Sequence, residues 1–322
     1  MDFQLSDDQR ALRSGMRDLL GAAFDRDGLR AAVERGGGVD RGLWRELGAA
    51  GFFALRLPEE SGGVGLGLPE AVLLFEEAGR ALLPGPLVAT HLAAGLVKGA
   101  AEGEAVVTAS QGGGLPVADL RGADAVLVAG GVLTGEELAA FVAGARPVRS
   151  MDPLTPLHRA EGLVAAAEAY PGALRGDGAL LTAAEQLGSA ARTTEMAVQH
   201  ARTREQFGSL IGSFQAVKHL CADMLARTEP ARGAVYAAAV TGDPVEIAAA
   251  KLLADDAAVR NARDCLQIHG GMGFTWEADV HLHLKRAWIR AARWLSAAEA
   301  EEILAAGLGA VRPLYGGSAA LG

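Results

Sequence analysis

Residues 181–224 read LTAAEQLGSAARTTEMAVQHARTREQFGSLIGSFQAVKHLCADM, and the organisation of the chain follows from them. Up to about Arg204 the segment is alanine-rich, with Leu, Met, Glu, Gln and Arg between and no proline, which predicts one long helix. From Phe214 the apolar positions Phe214, Val217, Leu220, Cys221 and Met224 recur at three and four residues, the stripe of a second helix. Gly208 and Gly212 interrupt the pattern and allow a turn between the two. That turn leaves Arg204, Gln206 and Phe207 beside unpaired backbone groups, offering a cation, an amide and a ring to a planar or anionic ligand. The same spacing also suits a plain helical hairpin, with the arginine in a surface ion pair and the phenylalanine in the core.

At 322 residues the chain can bury a core of two or three cooperating layers or domains. A formal charge of -9 argues against nucleic acid or an anionic membrane surface as the main partner. Hydrophobic residues make up 50%, much of it alanine, which favours closely packed helices and apolar surface covered by another subunit. Cys221 and Cys265 lie in helical text among apolar neighbours, so reduced, buried thiols are expected rather than a disulfide or metal pair. The N-terminal text has no basic head followed by an apolar core, and no apolar run reaches membrane-spanning length. A soluble cytoplasmic protein without membrane insertion is expected.

Working outward, Ser6, Asp7 and Asp8 offer a cap and early negative charge for a helix from near Gln9 toward Ala23. Asp40 caps a short helix through Leu43 and Leu47, and Pro69 suits the first turn of another. An apolar helix is expected from about Val88 to Lys98, completing a helical N-terminal domain over residues 1–104. Residues 105–172 read as a small β-rich domain, with short apolar runs at 105–110, 125–130 and 162–167. Beyond it, residues 173–322 form a helical bundle. Thr228 is expected to cap a helix to Ala239 with Pro230 in its first turn, and a final helix spans about 287–304. In QIHGGMGFTWE, Gly270, Gly271 and Gly273 permit close approach of a backbone or ligand, and Gln267 can make amide hydrogen bonds. His200, His219, His269, His281 and His283 form no clear metal site, and a local pair between His219 and Asp223 is expected instead.

TREQFGSLIGSFQAVKHLCADM together with QIHGGMGFTWE resembles the acyl-CoA dehydrogenase family. The likeness extends to LPEESGGVGLGLPE, FEEAGRALLPGP and the DFQLSDDQRALR opening, and so covers nearly the full chain. It implies a mainly α fold: an N-terminal helical domain, a small β domain and a C-terminal helical bundle. It also implies oxidation of the Cα–Cβ bond of an acyl-CoA substrate, in which a carboxylate takes the α proton and FAD accepts hydride. An electron-transfer flavoprotein then reoxidises the flavin. In such proteins FAD lies across a subunit interface. The resemblance assigns Arg204 to its pyrophosphate region, with Gln206 and Phe207 alongside, and Gln267, Gly270 and Gly271 to the ADP end of a FAD held largely by the neighbouring subunit.

The sequence departs from the family where the chemistry should be. One branch carries its catalytic glutamate at the position that falls here on Trp294, the other at the position that falls on Gly178. Neither side chain can abstract a proton. Asp177 is adjacent, and a small shift would make it the substitute base, although its side chain is shorter. Glu185 and Glu195, farther along the helix, are expected as solvated or capping charges. The Thr-Glu, Gly and Ser-Asp constellation that lines the flavin in ordinary members has no counterpart between Ala105 and Ala169. Keeping the ADP-side motifs while losing the flavin wall and the base resembles the small subunit of actinobacterial heterotetrameric (α2β2) acyl-CoA dehydrogenases. Several of these take bulky CoA thioesters from sterols. A self-sufficient dehydrogenase using Asp177, or a non-enzymatic scaffold of the same fold, are the alternatives.

Overall fold

The computed structural model describes residues 4–111, 114–160 and 172–310. Five helices come first: α1 (Asp7–Ala23), α2 (Arg26–Glu34), α3 (Arg41–Ala49), α4 (Leu68–Arg80) and α5 (Leu87–Leu92). Helix α1 starts in a reciprocal cap, the Ser6 hydroxyl accepting from Gln9 N and the Gln9 side chain accepting from Ser6 N. Asp40 accepts from Gly42 N and Leu43 N to open α3, and Pro69 sits in the first turn of α4. Helix α5 is shorter than its apolar text suggests. It ends at Leu92, and turns through Gly95 and Gly99 replace the continuation to Lys98.

Two small sheets follow, built from β1 (Val107–Ala109), β2 (Val117–Ala118), β3 (Ala125–Val128), β4 (Gly131–Leu133), helix α6 (Gly135–Ala143), β5 (Ala145–Val148) and β6 (Leu157–Ala160). Their orders are β1-β3-β4, with β1 and β3 parallel, and β2-β6-β5, antiparallel throughout. The run at 162–167, read as a third strand, lies outside the described residues.

The remainder is helical: α7 (Gly172–Thr203), a hairpin of β7 (Glu205–Gln206) and β8 (Ser209–Leu210), α8 (Gln215–Thr241), α9 (Pro244–His269), α10 (Val280–Ala291) and α11 (Ala297–Ala310). Alanines such as Ala183, Ala190, Ala254 and Ala258 are fully buried between them. Helices α4 and α7 meet backbone to backbone: a Cβ on Gly79 would lie 2.0 Å from Glu185 O, and one on Gly188 1.9 Å from Glu76 O. The Arg80–Glu195 ion pair crosses that contact, and Glu77 of α4 pairs on another side with Arg17 of α1.

Two helix boundaries differ from expectation. Thr228 does not cap a helix, because α8 runs on through Pro230. Proline removes one main-chain donor there, and the turn is held by other bonds. Thr228 Oγ1 and Asn261 Nδ2 both donate to Met224 O, and Asn261 Nδ2 also reaches Thr228 Oγ1 at 2.9 Å. The final helix is broken in two. Trp294 takes a left-handed φ of 62°, with its N donating to Gln111 Oε1 (2.8 Å) and its carbonyl accepting from Arg175 Nε (2.7 Å). Among the described residues no helix is long and apolar enough to cross a membrane.

Candidate functional site

The turn after α7 is a two-residue β-hairpin. Glu205 pairs with Leu210 and Gln206 with Ser209, leaving Phe207 and Gly208 at the tip with φ of 53° and 73°. Positive φ at both central residues matches the right-handed strand twist, which is why glycine follows the phenylalanine. Arg204 N donates to His200 O (2.9 Å), ending α7, and Ile211 N donates to Arg204 O (2.8 Å), closing the loop. The plain-hairpin alternative fails on both its terms. Phe207 is 93% exposed rather than in the core, and among the described residues Arg204 makes no ion pair with a carboxylate. Gln206 is exposed, its side-chain amide donating to Glu205 O.

The second motif ends α9. Gln267, Gly270 and Gly271 are exposed, Gly270 has φ 59°, and a Cβ on either glycine would meet nothing within 4 Å. The space beside this backbone is open. His269, the last residue of α9, stacks on His200 of α7 with ring centroids 4.1 Å apart and planes 15° from parallel. This contact joins the two motifs. Phe274 and Trp276, 75% and 60% exposed, extend the uncovered surface beyond Gly271. Trp276 is partly packed, its ring edge-on to His281 and beneath the Lys285 ammonium. Cys265, one turn before His269, and Cys221 of α8 are free thiols, and burial raises both, Cys265 to about 12.

The second region lies inside, where α5, β1, α7 and α10 converge on a cavity of about 80 Å³. Thr108, Asp119, Glu185, Arg290, Arg293 and Trp294 are among its walls. Glu185 is buried, not solvated or capping as expected. It accepts from Arg290 Nη2 at 2.8 Å, and burial raises its carboxyl against the pull of Arg290 and Arg286. Burial lowers Arg290 to about 10, against the pull of Glu185. One turn back on α10, Arg286 pairs with the fully buried Asp152. The signal in the sequence was complementary spacing, with Thr182, Glu185 and Ser189 on one face of α7 and Arg286, Arg290 and Arg293 along α10 and just beyond it. Glu195 pairs with Arg80 and is half exposed, as its expected solvated role requires.

Sequence reading also passed over Asp119. It is fully buried with left-handed φ of 53°, and burial pushes its carboxyl up to about 7 despite Arg286 and Arg293 nearby. Asp177 is not among the cavity walls; its carboxylate is 2.8 Å from Arg56 Nη1. Gly178 and Trp294, the two positions where a base was looked for, are in contact. A Cβ on Gly178 would lie 2.3 Å from Trp294 Cδ2 and 2.5 Å from Cε3. The indole, 6% exposed, fills that place.

The geometry therefore divides into an exposed surface made of two motifs and a small polar cavity beside the packed Gly178–Trp294 contact. Residues 6–102 match the family profile "Acyl-CoA dehydrogenase, N-terminal domain", and residues 176–301 match "Acyl-CoA dehydrogenase, C-terminal domain". The chain is 36% identical over 296 residues to acyl-CoA dehydrogenase IpdE2 of Mycobacterium tuberculosis, covering 87% of this chain and 91% of that protein. Among solved structures, the ChsE4-ChsE5 complex of Mycobacterium tuberculosis shares its fold with a TM-score of 0.77 at 24% identity, covering 97% of this chain and 100% of that one. A Tcur3481-Tcur3483 steroid ACAD variant gives 0.78 at 24% identity, covering 94% and 98%. With its mainly α architecture and two small sheets, the chain belongs to the acyl-CoA dehydrogenase family, a family of oxidoreductases.

Proposed function

We propose that this chain is the subunit of a heteromeric FAD-dependent acyl-CoA dehydrogenase that completes the ADP side of the flavin site, while an unlike partner supplies the catalytic base. The observation that carries the reading is the Trp294 indole packed on Gly178, where a carboxylate would have to stand. Glu185, the carboxylate nearest in kind, is tied to Arg290. The six motif residues, by contrast, are all exposed on this chain.

FAD, when bound, supplies the acceptor for the hydride leaving Cβ of the acyl thioester. The residues present fit its nucleotide half. Arg204 offers a charge-assisted contact to a phosphate, Gln206 and Gln267 offer amides, Phe207 offers a ring, and the bare backbone at Gly270 and Gly271 admits close approach. These groups bind and orient; none abstracts a proton. An α2β2 assembly with an acyl-CoA dehydrogenase-like partner agrees with the likeness to the two-component ChsE4-ChsE5 complex. A steroid-derived CoA thioester is the substrate class favoured by the likeness to the steroid ACAD variant. The electrons pass on to an electron-transfer flavoprotein.

Co-expression with the unlike subunit tests the proposal. Co-purification of a yellow complex is expected, with a colourless product when this chain is expressed alone. A yellow, active assembly of this chain alone overturns it.

A further inference from the structure

His200 and His269 belong to neither set of motif residues, yet each is built into one of the motifs. His200 is in the last turn of α7, and its carbonyl accepts the Arg204 amide at 2.9 Å. His269 is the last residue of α9 and directly precedes Gly270. Their stacked rings form a side-chain contact between the end of α7, before the Arg204 loop, and the end of α9, before the Gly270–Gly271 turn. His269 Nδ1 lies 2.8 Å from Cys265 O, and since a carbonyl only accepts, that nitrogen carries the proton. Both rings are half-buried.

We infer that His200 and His269 are positioning residues for the flavin nucleotide, holding the two motifs in register through their stacked rings, a stack that loosens when His200 takes up a proton. This rests on the proposed role of the two motifs in FAD binding. A proton on His200 places an imidazolium beside the Arg204 guanidinium, in a ring stacked 4.1 Å from His269. Arg204, from the end of α7, adds positive charge; α9 presents the Cys265 thiol, with Cys221 of α8 behind it, and the turn after α9 presents the Gly273 backbone. Burial first, then His269 and Arg204, hold the His200 imidazole below its ordinary range. A lowered imidazole is neutral above about pH 6.5; as the pH falls below that range it takes up a proton, the stack loosens and the register that FAD binds is lost with it.

The test is the FAD dissociation constant of the assembled two-subunit complex, stripped of flavin and retitrated across mildly acidic to neutral pH. For the unaltered complex, affinity should fall about tenfold between about pH 7.5 and 5.5. His200→Phe keeps a flat ring without a titrating nitrogen. It should hold neutral-pH affinity within about twofold and remove most of the acid loss. His200→Ala should weaken binding about tenfold at neutral pH. Acid loss that survives unchanged in His200→Phe, or full affinity in a folded His200→Ala complex, overturns the inference while leaving the FAD role intact. A complex that takes up no FAD at neutral pH overturns the proposed function, and this inference with it.

Discussion

The indole of Trp294 lies against the Cα of Gly178, so close that a single added methyl on the glycine would stand 2.3 Å from Cδ2. The left-handed turn at Trp294, fixed by Gln111 and Arg175, aims the ring inward and breaks the last helix in two. Each residue takes the space that the other's replacement would require. At this place the interior is closed by packing, and Gly178 cannot carry a longer side chain without displacing the Trp294 indole.

Gly178→Ala should destabilise the chain by about 1–3 kcal/mol, the usual cost of overpacking a filled core. Urea unfolding of the purified protein measures this. Under the proposed function, turnover per folded complex stays the same.

The Glu185–Arg290 pair should be strongly asymmetric to mutation. Glu185→Gln leaves Arg290 buried without its counter-charge, at a cost of about 3–5 kcal/mol, whereas joint replacement by Leu and Met should cost much less. A double-mutant cycle by chemical denaturation resolves the difference.

Acidification should unfold the protein through its buried histidines. Burial lowers His283 to about 3 and His91 to about 4, far below their unfolded value of about 6.5. Between those limits the unfolded chain binds more protons, so stability falls as pH drops through the window. The slope is about 1.4 kcal/mol per pH unit for each group. His283→Gln should remove one such contribution, read as a shallower slope of unfolding free energy between about pH 6 and 4.

Much of the frame was legible in local chemistry. Ser6 with Gln9, Asp40, and Pro69 each mark a helix start through neighbours within three or so residues. A turn near Gly208 was legible in the same way, from glycine spacing, although its β-hairpin pairing with Phe207 at the tip was not. What escaped depends on distant partners. The α8 turn before Pro230 is braced by Asn261 of α9 through Met224 and Thr228, Glu185 is buried because Arg290 meets it, and Trp294 turns left-handed because Gln111 and Arg175 hold its backbone. Those partners lie 33 to 183 residues away in sequence. Period and propensity carry no information at that range.

Asp177→Asn should leave acyl-CoA turnover of the assembled complex unchanged, because the carboxylate is engaged by Arg56 and stands off the cavity. The stability loss for this partly exposed pair should be at most about 1 kcal/mol. Steady-state kinetics beside a melting curve separates the two.

Arg204→Ala should weaken FAD in the complex by about 10- to 100-fold, the worth of one charge-assisted hydrogen bond to a phosphate. The side chain is exposed and makes no ion pair among the described residues, so the melting temperature of the chain alone should barely move. Flavin titration and thermal unfolding together check both halves.

The central claim is that the proton-abstracting group is not on this chain. Its most direct measurement is anaerobic bleaching of added FAD by an acyl-CoA thioester, first in the presence of this chain alone and then with the chain joined to its unlike partner. The account predicts no bleaching from the chain alone and rapid bleaching from the complex. Bleaching by the chain alone, abolished by replacing one of its own carboxylates, would contradict it.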